Sequence, residues 1–178
     1  MVARPISNAA YYAMLAFAVV GGFVAHEAAH WAAGEALGHE MTMSLNRAAP
    51  APGAEVTACQ ARLIDAAGPA FTLATALIAA AFVFTRGAVM AYPFIFAAFL
   101  MRLTATAVSL LHPNDEMRIS AALGMGDWTL PLAVTLALLA LIIAASLRLG
   151  IGWRTNVLSY LLGNALITAI VFGDQAMR

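Results

Sequence analysis

The sequence predicts an all-α membrane protein of about five transmembrane helices, with a small β-hairpin between the first and the second. Three observations carry that prediction. Of 178 residues, 63% are hydrophobic and only 10% charged, against roughly 45–50% apolar and 25% charged in soluble domains. Five apolar runs reach the roughly 20 residues that span a bilayer as a helix: 9–31, 66–85, 88–111, 128–147 and 155–172. One connection, Leu37 to Ile64, is long enough to fold on its own. We read residues 1–178 as a single polytopic membrane domain.

The first run follows Arg4 and could instead be a signal peptide. It exceeds the usual signal core of about 7–15 residues, however, and cleavage there would strand the polar motif it carries. Gly38, Pro50, Pro52 and Gly53 punctuate the long connection as a turn between two short segments. Met41, Met43 and Leu45 alternate with Thr42, Ser44 and Asn46, and the stretch from Glu55 to Gln60 has the Val, Thr and Cys content to pair with them. A disordered loop is the alternative. Gly87 alone separates the second and third runs, making a tight antiparallel pair. The connection His112 to Asp127 contains Pro113, which disfavours helix at His112 and predicts a break near Asp115. A short polar turn, Gly150 to Arg154, precedes the fifth run.

Charge excludes one class of partner. The nine basic residues are all Arg and balance nine acids, so no basic stripe for nucleic acid exists. Cys59 is the only cysteine, which rules out an internal disulfide and a multi-cysteine metal site. The positive-inside rule is undecided: Arg4, Arg86, Arg148 and Arg154 fall on one side and Arg47, Arg62, Arg118 and Arg178 on the other.

His26-Glu27-Ala28-Ala29-His30 lies within the first run. On a helix, positions i and i+4 share a face, so His26 and His30 can present two imidazoles to one ion while Glu27 points to the neighbouring flank. Zinc with three protein ligands keeps a fourth position open, acidifies water and polarises a carbonyl, and the adjacent carboxylate accepts the proton. Glu27 is the candidate general base. Ionisable groups inside a membrane span cost about 3 kcal/mol or more each and mark function by default.

Helices one and three cross in the same direction, so the end of the first, the start of the second at Gly68-Pro69 and the break at Asp115 meet at one membrane face. Asp115 is the first candidate for third ligand and His112 the second. His39 and Glu55 fall where a third ligand might be sought in the first connection, but His39 and Glu40 read as solvated loop residues. Asp115 also suits a helix N-cap or an ion pair with Arg118.

His-Glu-x-x-His late in one transmembrane helix, Gly-Pro at the start of the next and Pro-x-Asp after the third resembles the core of the site-2 protease family of intramembrane zinc metalloproteases, over residues 9 to about 120. The resemblance implies Zn2+ held by His26, His30 and Asp115, with Glu27 as catalytic base. It also implies a substrate that is a membrane protein with a transmembrane helix, and a hairpin that offers an edge strand to the unwound substrate. The last two helices are additions. Three departures stand out: Thr72 where the family has Asn, Glu116 where it has Gly after the ligand Asp, and Ala107 and Ser109 where an Asn commonly lies. They motivate an alternative, a proteolytically inactive zinc-binding relative acting as an accessory or assembly subunit of a membrane complex. A di-iron hydroxylase or haem carrier would need more histidines. The expected location is the bilayer, as a multi-pass protein of the bacterial inner (cell) membrane.

Arg102 lies midway along the third run, where it should pair with a carboxylate, Glu35 and Asp65 being conceivable partners, or line a wet cavity. Glu116 reads as facing water and pairing with Arg118. Tyr11, Tyr12, Trp31, Trp128 and Trp153 read as interfacial anchors.

Overall fold

The computed structural model describes residues 8–177, so the predicted signal-type flank at Arg4 and the charge of Arg178 lie outside the described residues. Helix α1 (Asn8–Ala36) leads into a hairpin of β1 (Met41–Ser44) and β2 (Arg47–Pro50). Helices α2 (Ala58–Arg86), α3 (Tyr92–Val108), α4 (Asp115–Ala122), α5 (Thr129–Leu149) and α6 (Trp153–Ala176) follow, with a single 3-10 turn at Val89–Ala91 before α3. Five helices are long and apolar enough to cross a membrane, which is compatible with a multi-pass membrane protein. The short α4 is the exception.

Helix α1 buries one stripe spaced by a turn: Tyr11, Leu15, Val19 and Phe23. That stripe packs with Val83 of α2, Tyr92, Ile95, Phe96 and Leu100 of α3, Ile142 of α5 and Ile167 of α6 into one apolar core. The same face continues as His26, His30 and Gly34, so the packing that seats α1 also turns its imidazoles inward. The opposite faces carry exposed apolar side chains such as Phe17, Leu77, Leu136 and Leu147, as expected where the solvent is lipid. Tyr11 is not an interfacial anchor. It is buried, and its hydroxyl bonds Ser159 of α6 at 3.1 Å.

Caps explain where helix ends depart from the apolar runs. Helix α2 begins eight residues before its run because Thr57 and Gln60 form a capping box, Thr57 Oγ1 accepting from the Gln60 N–H and Gln60 Oε1 from the Thr57 N–H. It ends at Gly87, whose left-handed φ of 62° suits glycine. Helix α3 stops at Val108. Asn114, not Asp115, caps α4, its Oδ1 accepting from the Met117 N–H at 2.8 Å. Asp115 and Glu116 then occupy the first turn, where the helix dipole favours carboxylates.

The predicted hairpin exists, but its second strand is Arg47–Pro50 and not the stretch from Glu55 to Gln60. The register runs Met41↔Pro50 to Ser44↔Arg47 around the two-residue turn Leu45-Asn46. The Pro50 to Gly53 punctuation instead ends β2, and the capping box at Thr57 commits the residues beyond it to helix.

Candidate metal centre

Three atoms from two distant stretches of chain converge beside the hairpin. His26 Nε2 and His30 Nε2 are 3.1 Å apart, and each is 3.3 Å from Asp115 Oδ2. Both histidines are buried. The two imidazoles come from one face of α1, and the carboxylate arrives because α3 runs in the same direction as α1 and the chain leaves helix between Val108 and Asp115.

Proton positions follow from the partners of the other ring nitrogens. His30 Nδ1 lies 2.6 Å from the Ile64 carbonyl, which can only accept, so Nδ1 carries the proton. The Thr72 hydroxyl donates to the Gly68 carbonyl at 3.1 Å and so offers a lone pair to His26 Nδ1, 3.0 Å away. Nδ1–H of His26 therefore donates to Thr72. In the neutral rings both Nε2 atoms are bare, and with Asp115 Oδ2 they form three electron-rich atoms at close quarters with no proton among them. A single cation at their centre satisfies all three.

The dimensions fit a small transition metal. Donors about 2.0–2.1 Å from a tetrahedral zinc stand about 3.3 Å apart, and the observed edges are 3.1, 3.3 and 3.3 Å. Two imidazoles disfavour calcium and magnesium, which take oxygen donors. Gly68 provides the room. A Cβ placed there would fall 2.7 Å from His26 Nε2 and closer still to His30 Nε2, so α2 can approach the donors only through a residue without a side chain.

Asp115 is held from its far side. Arg118 Nη2 donates to Asp115 Oδ1 at 2.6 Å and to Asp65 Oδ1 at 2.8 Å, while its Nε donates to Asp65 Oδ2 at 2.9 Å. That occupies Oδ1 and leaves Oδ2 for the imidazoles, favouring single-oxygen ligation. Bonding to Asp65 raises Arg118 above its usual value against the effect of burial, with Asp115 adding to the rise.

Glu27 is outside the trio and beside it. It is 9% exposed and lines a polar cavity of about 280 Å³ with His30, Asp115, Arg118, Asp65 and the hairpin residues Asn46 to Ala48. The register explains the hairpin's part. Ser44 and Arg47 flank the turn as a hydrogen-bonded pair, so at the next pair, Met43↔Ala48, the backbone groups of Ala48 point away from β1. They face α1, where the Ala48 backbone lies beside Glu27 at the cavity.

Among the sequence candidates, His26, His30 and Asp115 meet, and they are the one such group of potential ligands among the described residues. His112, Glu40 and Glu55 are exposed and outside it. His39 is also outside; it is a half-buried loop residue whose Nε2 is enclosed. Arg102 is paired, but with neither Glu35 nor Asp65: Nη1 donates to Glu116 Oε1 at 2.7 Å, both side chains being 5% exposed. Glu116 therefore does not face water or reach Arg118. Glu35 instead accepts the Met41 N–H at 2.9 Å. Thr72, a departure from the family pattern, turns out to bear on His26, and its spacing of one turn from Gly68 was the available signal. The Ile64 carbonyl, as main chain, leaves no signal in the sequence.

No family model, curated protein or solved structure matches the chain. The resemblance to site-2 proteases therefore stands on the motifs themselves.

Proposed function

We propose that the chain is an intramembrane zinc metalloprotease, hydrolysing a peptide bond in or near a transmembrane segment of a substrate protein in the bacterial inner membrane. The observation that carries this reading is the convergence of two bare imidazole nitrogens and one carboxylate oxygen beside a buried glutamate that lines an adjoining polar cavity. His26, His30 and Asp115 are the residues that would hold the metal. Zinc bound there supplies a Lewis acid that polarises a carbonyl and acidifies water near neutral pH.

The rest of the chemistry belongs to the chain's own residues. Glu27 takes a proton from the attacking water and returns it to the departing amine, the double role of a general acid–base residue. Thr72 and Ile64 hold the two rings in the tautomer that leaves Nε2 bare. Arg118 keeps Asp115 turned toward them. The outward edge of β2 at Ala48 offers backbone groups to an extended peptide next to Glu27, which suits a helical segment that must unwind before cleavage.

Replacing Glu27 with Gln separates binding from turnover. Zinc content of the purified protein should stay at the wild-type level while cleavage of a reconstituted transmembrane substrate falls by about 10²–10⁴-fold. Retained cleavage in this variant would sink the assignment of Glu27, and unchanged zinc in Asp115→Ala would sink the third ligand. Of the departures that motivate the inactive alternative, the missing Asn and Glu116 beside Asp115, the Glu116 carboxylate is engaged by Arg102.

A further inference from the structure

We propose that Asp174, near the C-terminal end of α6, is a positioning residue that sets the hairpin over the cavity of Glu27; its bearing on catalysis rests on the protease reading above. Asp174 is 2% exposed, in the last turns of the final helix. Its two carboxylate oxygens reach the hairpin tip: Oδ2 accepts from Ser44 Oγ at 3.1 Å and Oδ1 from the Leu45 N–H at 3.0 Å. The cavity walls come from α1, the hairpin, α2 and α4.

The hairpin lies along α1, with Ala48 beside Glu27, and it is fastened at both ends. At its base Met41 is buried over Gly34 of α1, where any Cβ would collide with the Met41 side chain, and the Met41 N–H donates to Glu35. At its tip is Asp174. A two-stranded ribbon is marginal alone in water, so its attitude depends on what holds its two ends. Freed at the tip, the hairpin can pivot about Met41, carrying Asn46, Arg47 and Ala48 away from Glu27. A buried carboxylate has to be compensated by hydrogen bonds, and Asp174 obtains two of them from the segment that roofs the cavity. One of these bonds occupies the Leu45 N–H beside β1, as Glu35 occupies the Met41 N–H.

The test uses the full chain in lipid nanodiscs and a probe independent of turnover. Arg47 is exposed on the hairpin, so trypsin nicking after Arg47 reports release of the tip. Asp174→Ala should speed that nick about tenfold or more by local opening, with zinc content unchanged. Ser44→Ala, which removes one bond and leaves the fold of α6 alone, should speed it by a smaller factor. Asp174→Asn, which keeps an acceptor for the Leu45 N–H, should restore most of the protection. For Glu27-dependent cleavage, Asp174→Ala should raise KM about tenfold with kcat nearly unchanged, the pattern of lost substrate positioning. Wild-type nicking rates in both Asp174→Ala and Ser44→Ala overturn the proposal, as does loss of zinc together with nicking at all arginines. Absence of cleavage by the wild-type protein would instead refute the protease reading, while nicking still decides the role of Asp174 in holding the hairpin.

Discussion

Gly68→Ala sets two physical effects against each other. In the interior of a helix, Ala is favoured over Gly by about 1 kcal/mol, so on propensity alone the change should stabilise α2. At this position the added methyl carbon would lie 2.7 Å from His26 Nε2, where ordinary contact needs about 3.4 Å. The ring must move by roughly 0.7 Å, several times the ±0.2 Å that a metal–ligand bond tolerates. His30 Nε2 is displaced as well. Loss of supporting partners alone typically costs 10–100-fold in metal affinity; here the donor atoms themselves move, so zinc affinity should fall by more than about 100-fold, or about 2.8 kcal/mol. Competition with a chromophoric chelator in detergent measures the affinity, and thermal unfolding in excess chelator measures the apoprotein. The expected result is weak zinc binding by an apoprotein no less stable than wild type by more than about 1 kcal/mol. Zinc affinity within about threefold of wild type would refute the placement of the ion between α1 and α2.

Other perturbations probe the surroundings. Thr72→Val removes the acceptor for His26 Nδ1–H and should lower zinc affinity about 10–100-fold, whereas Thr72→Asn, which keeps an acceptor, should lose much less; chelator competition distinguishes them. Arg102→Leu leaves Glu116 buried and unpaired and should cost about 3–5 kcal/mol in unfolding free energy, while Arg102→Leu with Glu116→Leu should recover most of that loss. Equal stability of the single and double variants would show that the pair is not coupled.

The elements most legible in the sequence were those set by bulk hydrophobicity and by chain direction. Five apolar runs mark the five long helices. Parity of crossing was enough to anticipate that His26, His30 and Asp115 reach one face. Helix ends were less legible, because hydropathy counts apolar residues whereas helices end at caps: the polar turns around Arg62 and Asp65 belong to α2 only because of the box at Thr57. Pairing of charges is not legible where several carboxylates share a face. Sequence proximity favoured Arg118 for Glu116, but the first turn of α4 points Glu116 into the bundle toward Arg102 and leaves Arg118 to Asp65 and Asp115. The hairpin tip and Asp174, separated by about 130 residues, carry no local signal at all.

The trio also couples parts of the chain that are otherwise joined only by packing. His26 and His30 belong to a membrane-spanning helix, and Asp115 belongs to the short helix outside the long spans. An ion shared by the three acts as a cross-link across the intervening α2 and α3. Its contribution to folding grows with free ion concentration, by about 1.4 kcal/mol for each tenfold excess over the dissociation constant. Metal supply would thus govern the persistence of the folded protein in the bilayer, and scarcity would be felt first as a loosened α4 before any change in the five long helices.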